Sequence, residues 1–204
     1  MSDLLRWARS LEAIARSGVT YTENPFDRGR FEAVREIAAE IAASAGGEPP
    51  AELLERFAAE YGYATPKVDM RGVVLSDERV LLVREVGQSG WTLPGGWADV
   101  GESPRQAIEK EVREEAGVVA RAVRVLAVYD RDFRGRARWP AHAYRLYVLC
   151  DLVDGTPAGD GLETDEADWF DPARLPELSF KTPGDHLENV LRLAADPTLG
   201  ALLD

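Results

Sequence analysis

Four glutamates lie within the stretch EKEVREEAG, at positions 109 to 117. If the stretch is helical, at about 100° per residue, Glu111, Glu114 and Glu115 share one flank of the helix. Like charges at these spacings repel each other by about 0.2–0.5 kcal/mol per pair when exposed, and by more when half buried. A divalent cation reverses the sign of that interaction, and Mg²⁺ and Mn²⁺ prefer carboxylate and carbonyl oxygens. The stretch therefore indicates either a solvated acidic face or a site for metal ions.

The loop before these glutamates favours the metal site. Its sequence, LPGGWADVGE, places Gly95 and Gly96 where the backbone can approach a metal ion or a phosphate closely. The loop ends on a further carboxylate, that of Glu102. The helix that follows is predicted to run from Pro104 to Ala116, since Ser103 is a good N-cap and a glycine terminates the run.

Loop and helix together resemble the Nudix box. Gly96, five residues, Glu102 and seven residues precede the run KEVREEAGV, from 110 to 118. The family pattern is a glycine, five residues, a glutamate, seven residues and then Arg-Glu-aliphatic-any-Glu-Glu-any-Gly-aliphatic. Every fixed position matches except that Lys110 stands where the family usually has arginine. Lysine keeps the charge but lacks bidentate geometry, so we expect looser bracing of the glutamates and retained activity.

The resemblance implies a fold, a chemistry and a set of ligands. The fold is α/β, the Nudix α/β/α sandwich with a mixed sheet, here preceded by a small N-terminal helical subdomain. The chemistry is hydrolysis of a nucleoside diphosphate linked to another group, with Mg²⁺ or Mn²⁺ as the cofactor. By the same resemblance Glu111, Glu114 and Glu115 would bind the metal ions, and the Gly96 carbonyl and Glu102 would be near or secondary ligands.

The general base has candidates inside and outside the box. Glu114 or Glu115 could take the proton of the attacking water. The later stretch GLETDEADWF adds Glu163 and Glu166. Glu166 resembles a position where many Nudix enzymes place a further metal ligand or base, and an acidic surface loop is the alternative interpretation.

Substrate contacts are expected from cations and aromatic side chains around the box. Arg71 and Arg84 lie on the two strands predicted before the box, where they could meet substrate phosphate or be ordinary surface arginines. Trp97, Tyr129 and Trp139 could stack on a nucleobase or serve as packing residues.

The order of elements predicts two parts: a helical subdomain over residues 1–64 and a Nudix hydrolase domain over residues 65–204. Three amphipathic helices are predicted in the first part, with Gly18 ending the first and Asp27 capping the second. They bury little alone, so they should pack on the rest of the chain or on a second copy. Strand-like alternation begins at Lys67, and hairpin-like pairs follow.

The charge balance argues against nucleic acid and membranes as partners. The chain has 204 residues and a formal net charge of −12, and acidic surfaces repel anionic polymers and lipids. No segment approaches the ~20 apolar residues that span a bilayer, and charges interrupt the N-terminal apolar residues, so no signal peptide is expected. The single cysteine, Cys150, lies in an apolar run and is expected to be a buried thiol. These features favour a cytoplasmic protein.

The N-terminal run LEAIARSGVTYTENPFDRGRFEAVREIAAEIAA narrows the resemblance. It is similar to the helical region ahead of the Nudix domain in bacterial CDP-choline pyrophosphatases and related proteins, often labelled ADP-ribose pyrophosphatases. This similarity implies a homodimer. It also implies a nucleotide-derivative substrate, and the first candidate is CDP-choline, which would be cleaved to CMP and phosphocholine. ADP-ribose, cleaved to AMP and ribose 5-phosphate, is the main alternative.

Two other classes of function stay open at this point. A non-catalytic, nucleotide-sensing regulator would be expected to lack box glutamates or to carry a basic helix face. An enzyme that trims RNA ends would need a basic groove with interleaved aromatic residues, and none is evident in the sequence.

Overall fold

The computed structural model describes residues 3–46, 48–131 and 142–203. The elements, in chain order, are α1 (Asp3–Tyr21), α2 (Pro25–Gly46), α3 (Pro50–Ala58), β1 (Lys67–Ser76), β2 (Arg79–Glu85), β3 (Trp91–Thr92), α4 (Pro104–Ala116), β4 (Val119–Asp130), β5 (Ala143–Asp154), β6 (Thr164–Phe170), α5 (Gly184–Ala195) and β7 (Leu202–Leu203). None of the helices within these ranges is long and apolar enough to cross a membrane.

The chain divides into two compact units. One comprises Met1–Lys67 with Asp130–Tyr144, and the other Val68–Tyr129 with Arg145–Asp204. The expected boundary between residues 64 and 65 stays a prediction. Trp139, a predicted stacking residue, lies outside the described residues.

The strands form one mixed sheet. Among the described residues its order is β3-β2-β1-β5-β4-β7, and β6 pairs with β2 off this path. β2 is antiparallel to β1, β3 and β6, whereas β7 is parallel to β4. The turn between β1 and β2 consists of Asp77 and Glu78, both at positive φ, which matches the twist of a two-residue hairpin.

A helix covers each face of the sheet. On one face, Ile108 and Val112 of α4 share a buried cluster with Met70 of β1. On the other face, Leu187 and Val190 of α5 belong to a second buried cluster. Burying an apolar side chain of this size contributes about 1.5–3 kcal/mol. The arrangement of helix, mixed sheet and helix confirms the predicted fold class.

Helix α4 is fixed at both ends by the residues that the sequence indicated. The Ser103 side chain accepts a hydrogen bond from the backbone N–H of Gln106, and the Gln106 side chain accepts one from the backbone N–H of Ser103. Gly117 ends the helix with a φ of 68°. A Cβ on Gly72 of β1 would lie 2.7 Å from a side-chain atom of Val112. This close packing fixes where the glutamates of α4 point.

The limits of α1 and α2 differ from the prediction. Gly18 does not end α1, so that expectation was wrong: a Cβ on Gly18 would lie 2.4 Å from the ring of Phe31, and the glycine permits α1 and α2 to pack closely. Asp27 is not the cap of α2. The helix begins two residues earlier, and the side chain of Asn24 accepts a hydrogen bond of 2.9 Å from the backbone N–H of Phe26.

Helix α1 has two apolar faces. Leu5 and Ala8 share a buried cluster with residues of α2 and α3. Trp7, Ile14 and Tyr21 recur every seven residues on another face and are 48%, 58% and 66% exposed. We call these three residues the α1 stripe. Exposed apolar side chains that recur on one face of a helix indicate a candidate interaction site.

Cys150 is buried in the cluster that contains α4. Burial, and then the charges of Glu109 and Asp151, raise the pKa of its thiol to about 12. A thiol of this kind is inert at neutral pH, which confirms the expectation of a structural cysteine.

Candidate active site

Glu115 is the buried member of the three glutamates. It is 6% exposed, and its Oε2 accepts a hydrogen bond of 2.7 Å from the backbone N–H of Gly95. Burial raises the pKa of Glu115 to about 7, although the Gly95 N–H and the charge of Arg71 lower it. A carboxylate with a pKa near neutrality is suited to take up and release a proton.

Glu111 is half-buried against the glycine loop. A Cβ on Gly96 would lie 2.9 Å from Glu111 Oε2, so a larger residue would displace the carboxylate. The Gly96 carbonyl accepts a hydrogen bond of 2.8 Å from the backbone N–H of Met70, which leaves it one further lone pair. Burial raises the pKa of Glu111; the charge of Lys110 lowers it, and that of Glu163 raises it further.

Glu114 is more exposed than either Glu111 or Glu115. Its side chain is 56% exposed and its Oε1 lies 3.8 Å from Arg113 Nη2. In the ranges that the structure covers, no three His, Cys, Asp or Glu side chains converge enough to hold one metal ion. The three predicted ligands are therefore neighbours on one helix, but each has different surroundings. The exposed side chain of Glu114 is free to change rotamer.

Lys110 braces the loop rather than the box glutamates of α4. Its Nζ lies 2.7 Å from Asp99 Oδ2 and 3.1 Å from Glu102 Oε1. The hydrogen bond to Asp99, and then that to Glu102, raise the pKa of Lys110 above its ordinary value. The ion pairs of Lys110 with Asp99 and Glu102 thus join the loop ahead of α4 to the helix.

The second carboxylate oxygen of Glu102 bears on whether a cation fits between the glycine loop and α4. Glu102 Oε2 is buried and has no hydrogen-bond partner among the described residues. A buried acceptor without a donor is costly, and a hard divalent cation is a partner that such an oxygen takes. Together with the close approach of Gly96 to Glu111, this donor set fits Mg²⁺ or Mn²⁺.

Arg71, predicted to contact substrate, lies in the interior. It is 4% exposed, and it donates to Asp69 Oδ1 at 3.2 Å and to the Leu93 carbonyl at 3.1 Å. Asp69 also binds a second guanidinium: its Oδ2 accepts a hydrogen bond of 2.9 Å from Arg145 Nε. Asp69 and Arg145 were missed in the sequence, although a charge inside an apolar strand such as YRLYVLC signals a buried partner.

Arg84 and Glu166, predicted as a substrate contact and a catalytic residue, are brought together by the structure. Arg84 Nη2 donates to Glu166 Oε1 at 2.7 Å, and Arg84 Nε donates to Asp165 Oδ1 at 2.9 Å. The hydrogen bond to Asp165 is the main cause that raises the pKa of Arg84 above its ordinary value. Both side chains are therefore engaged in an ion pair on the exposed side of β2 and β6.

The two described aromatic candidates differ in exposure. Trp97 is 43% exposed, on the loop next to Gly96. Tyr129 is buried and stacks on His186 with 4.1 Å between ring centroids. Trp97 therefore stays a candidate for stacking on a base, whereas Tyr129 is a packing residue.

Two family models match the chain. The one described as "NUDIX domain" matches residues 65–190, and the one described as "UDP-X-like, N-terminal oligomerisation domain" matches residues 2–57. The chain belongs to the Nudix family. Its fold over residues 65–190 is that of the Nudix domain, and Nudix hydrolases generally use divalent metal ions.

Proteins similar to this Nudix chain are named as pyrophosphatases or diphosphatases. The putative ADP-ribose pyrophosphatase YjhB of Bacillus subtilis (strain 168) is 36% identical over 177 residues, which cover 87% of this chain and 85% of that protein. The crystal structure of UDP-X diphosphatase is 32% identical and covers 100% of this chain and 98% of its own, with a TM-score of 0.64. An ADP-ribose pyrophosphatase from Streptococcus suis 89-1591 is 32% identical and covers 69% of this chain and 100% of its own, with a TM-score of 0.62. The protein is a Nudix pyrophosphohydrolase.

Proposed function

We propose that this Nudix enzyme cleaves the pyrophosphate bond of CDP-choline, giving CMP and phosphocholine. The observation that carries the hydrolytic part of the proposal is the pairing of Glu115 with the Gly95 N–H. This hydrogen bond places the buried carboxylate of Glu115, whose pKa is about 7, beside Glu111 and the glycine loop. CDP-choline itself rests on the resemblance of the N-terminal helices.

Glu111, Glu114 and Glu115 hold the divalent ions in this proposal, with Glu102 and the Gly96 carbonyl as near or secondary ligands. The orphan oxygen of Glu102 supports this assignment. Mg²⁺ or Mn²⁺, when bound, neutralises the oxygens of the pyrophosphate bridge and lowers the pKa of a coordinated water.

Glu115 is the residue proposed to accept the proton of the attacking water, because its carboxylate is buried and fixed beside the glycine loop. Glu114 and Glu166 are the alternative bases. Glu166 would first have to leave its ion pair with Arg84. Trp97, exposed beside the loop, is the proposed contact for the nucleobase.

ADP-ribose is the second candidate substrate. Two relatives that match most of their own length to this chain carry the name ADP-ribose pyrophosphatase. Both substrates present the same pyrophosphate bridge to the box, and they differ only in the base and in the second group.

We also propose a homodimer formed through residues 1–64, and a location in the cytoplasm. The oligomerisation description of the model that matches residues 2–57 supports the dimer, as does the α1 stripe. Helices α1 and α2 expose large apolar side chains, and they gain stability when a second copy covers them.

A hydrolysis screen with Mg²⁺ and with Mn²⁺ tests the function. CDP-choline, ADP-ribose, a UDP-sugar, diadenosine polyphosphates and nucleoside triphosphates are compared for the wild type, Glu115→Gln and Glu114→Gln. Glu52→Gln, on α3, is the control. CMP and phosphocholine released by the wild type and the control alone support the proposal. AMP with ribose 5-phosphate moves the substrate to ADP-ribose, and hydrolysis of none of these compounds overturns the proposal.

A further inference from the structure

The two arginines expected to meet substrate phosphate are both held by carboxylates. Arg71 is buried against Asp69, and Arg84 is shared by Asp165 and Glu166. A diphosphate carries negative charge that needs donors with ionic character. A partly exposed cation that is paired with a single carboxylate and keeps a donor for a ligand is therefore the feature to look for.

Lys181, on the segment just before α5, has these properties. Its Nζ lies 2.7 Å from Glu85 Oε1 and 2.6 Å from Glu85 Oε2. An ammonium has three N–H donors, and the third has no partner in the part of the chain that the structure describes. The Lys181 side chain is 35% exposed, against 18% for Glu85. Lys181 is thus the more exposed member of the pair, and its ammonium keeps one donor for a ligand.

The backbone around Lys181 is fixed by three polar contacts. Its carbonyl accepts a hydrogen bond from Arg145 Nη1. The hydroxyl of the next residue, Thr182, lies 2.8 Å from the Thr92 hydroxyl and accepts a hydrogen bond of 3.0 Å from the Leu93 N–H. An ammonium on such a support loses little conformational freedom when an anion binds.

The pair lies beside the box. Glu85 stands opposite Thr164 in the pairing of β2 with β6, and the Thr164 hydroxyl donates to the backbone carbonyl of Glu115 at 2.6 Å. Glu85 is also among the charges that act on the carboxylate of Glu115. Two strand residues, Glu85 and Thr164, therefore link Lys181 to the end of α4 that carries the buried glutamate.

We propose that Lys181 forms an anion subsite that binds an oxygen of the substrate diphosphate, with Glu85 holding the ammonium in place. This inference rests on the proposed function and adds a substrate-binding residue to it. The contact is made in the ground state, so it contributes to binding more than to the chemical step.

Four variants separate this role from simple neutralisation of Glu85: Lys181→Met, Lys181→Arg, Glu85→Gln and the double variant Glu85→Gln/Lys181→Met. The binding probe is methylenediphosphonate, which has no hydrolysable bridge, titrated calorimetrically in the presence of Mg²⁺. Loss of one charge-assisted contact should weaken binding about tenfold or more in Lys181→Met. Lys181→Arg should retain binding within about threefold, because it keeps a cationic donor.

The double variant is decisive. If Lys181 contacts the anion, the double variant stays as weak as Lys181→Met, and Glu85→Gln alone binds the probe no better than the wild type, because the ammonium is no longer held in place. If Lys181 only neutralises Glu85, the double variant recovers wild-type affinity, and the proposal is overturned. With the substrate found in the hydrolysis screen, KM should rise for Lys181→Met while kcat changes little.

Lys67→Met is the matched control, because Lys67 also pairs with one glutamate, Glu60, at 2.7 Å, in the other compact unit. It should bind the probe as the wild type does. Thermal unfolding of each variant shows whether the fold is retained. Since the titration needs no turnover, Lys181-dependent binding without hydrolysis of any compound would sink the proposed function alone, and hydrolysis with Lys181-independent binding would sink the subsite alone.

Discussion

The Oε2 atom of Glu115 and the backbone N–H of Gly95 lie 2.7 Å apart and join α4 to the glycine loop. The loop can offer this N–H only because Gly95 has a φ of 137°, a region essentially closed to other residues. A Cβ there would also lie 2.1 Å from the Met70 carbonyl oxygen. The hydrogen bond that positions the buried Glu115 therefore requires a glycine at position 95.

Gly95→Ala should therefore impair stability and activity together. Backbone strain and the clash with β1 should lower the free energy of unfolding by about 2 kcal/mol or more, and displacement of Glu115 should lower kcat. Urea unfolding and the hydrolysis assay measure the two effects. Gly101→Ala is the control, since Gly101 has a φ of 92° but no neighbour within 4 Å of its Cβ position. Equal losses in both variants would mean that the clash is relieved and the argument fails.

Glu115 should make stability depend on pH in a solution that contains a chelator. Its folded-state pKa of about 7 lies above the ordinary value of 4.5, so folding favours the protonated form. The stabilisation is fully present below about pH 4.5 and is lost as the pH rises through 7. Between pH 5 and pH 8 the wild type should lose about 2–3 kcal/mol relative to Glu115→Gln.

Urea unfolding of both proteins at several pH values checks this expectation. Glu52→Gln, on α3, should follow the wild type across the same range. A Glu115→Gln curve parallel to that of the wild type would mean that the carboxylate is solvated and ionised throughout, contrary to its burial.

Local chemistry explains what the sequence predicted well. The limits of α4 follow from Ser103, Gln106 and Gly117, which act within one turn of the helix ends. Helical spacing also placed the three glutamates on one flank. Spacing alone does not say which of them faces the sheet, because that depends on strands far away in the chain. The result is a buried Glu115 beside an exposed Glu114.

The ion pairs between strands and loops could not be predicted, because they join distant segments. Asp69 and Arg145 are 76 residues apart, and Glu85 and Lys181 are 96 residues apart. No local pattern pairs such residues; only the presence of a charge in an apolar strand marks them as unusual. For the same reason Arg71 and Arg84 were assigned to the substrate, since their carboxylate partners were not visible in the sequence.

Asp69→Asn should be strongly destabilising. The substitution leaves the guanidinium groups of Arg71 and Arg145 buried without their shared carboxylate. Removal of one partner from a buried ion pair costs about 3–5 kcal/mol. The double variant Asp69→Asn/Arg145→Met, which removes one of the two cations, should recover part of that loss.

Chemical unfolding of the single and double variants measures the cost. Asp151→Asn is the control, because Asp151 is exposed and lies 3.6 Å from Arg121, and surface pairs contribute about 0–1 kcal/mol. If Asp69→Asn is no more destabilising than Asp151→Asn, the two guanidinium groups reach solvent and the buried cluster is not formed.

The α1 stripe should control the oligomeric state. Trp7→Glu/Ile14→Glu puts two charges into the apolar stripe without touching the face that packs on α2 and α3. Burying those charges in a contact between two copies would cost far more than the apolar contact contributes, so the variant should sediment as a monomer at concentrations where the wild type is a dimer. Its helical content should be unchanged by circular dichroism, since both side chains are about half exposed.

Val100→Glu is the matched control, because Val100 is fully exposed in the loop of the other compact unit. It should leave the sedimentation of the wild type unchanged. A wild-type protein that sediments as a monomer over the whole concentration range would remove the dimer from the proposal. A dimer that survives the Trp7→Glu/Ile14→Glu substitution would instead place the contact elsewhere on the chain, and the exposure of Trp7, Ile14 and Tyr21 would then need another partner to explain it.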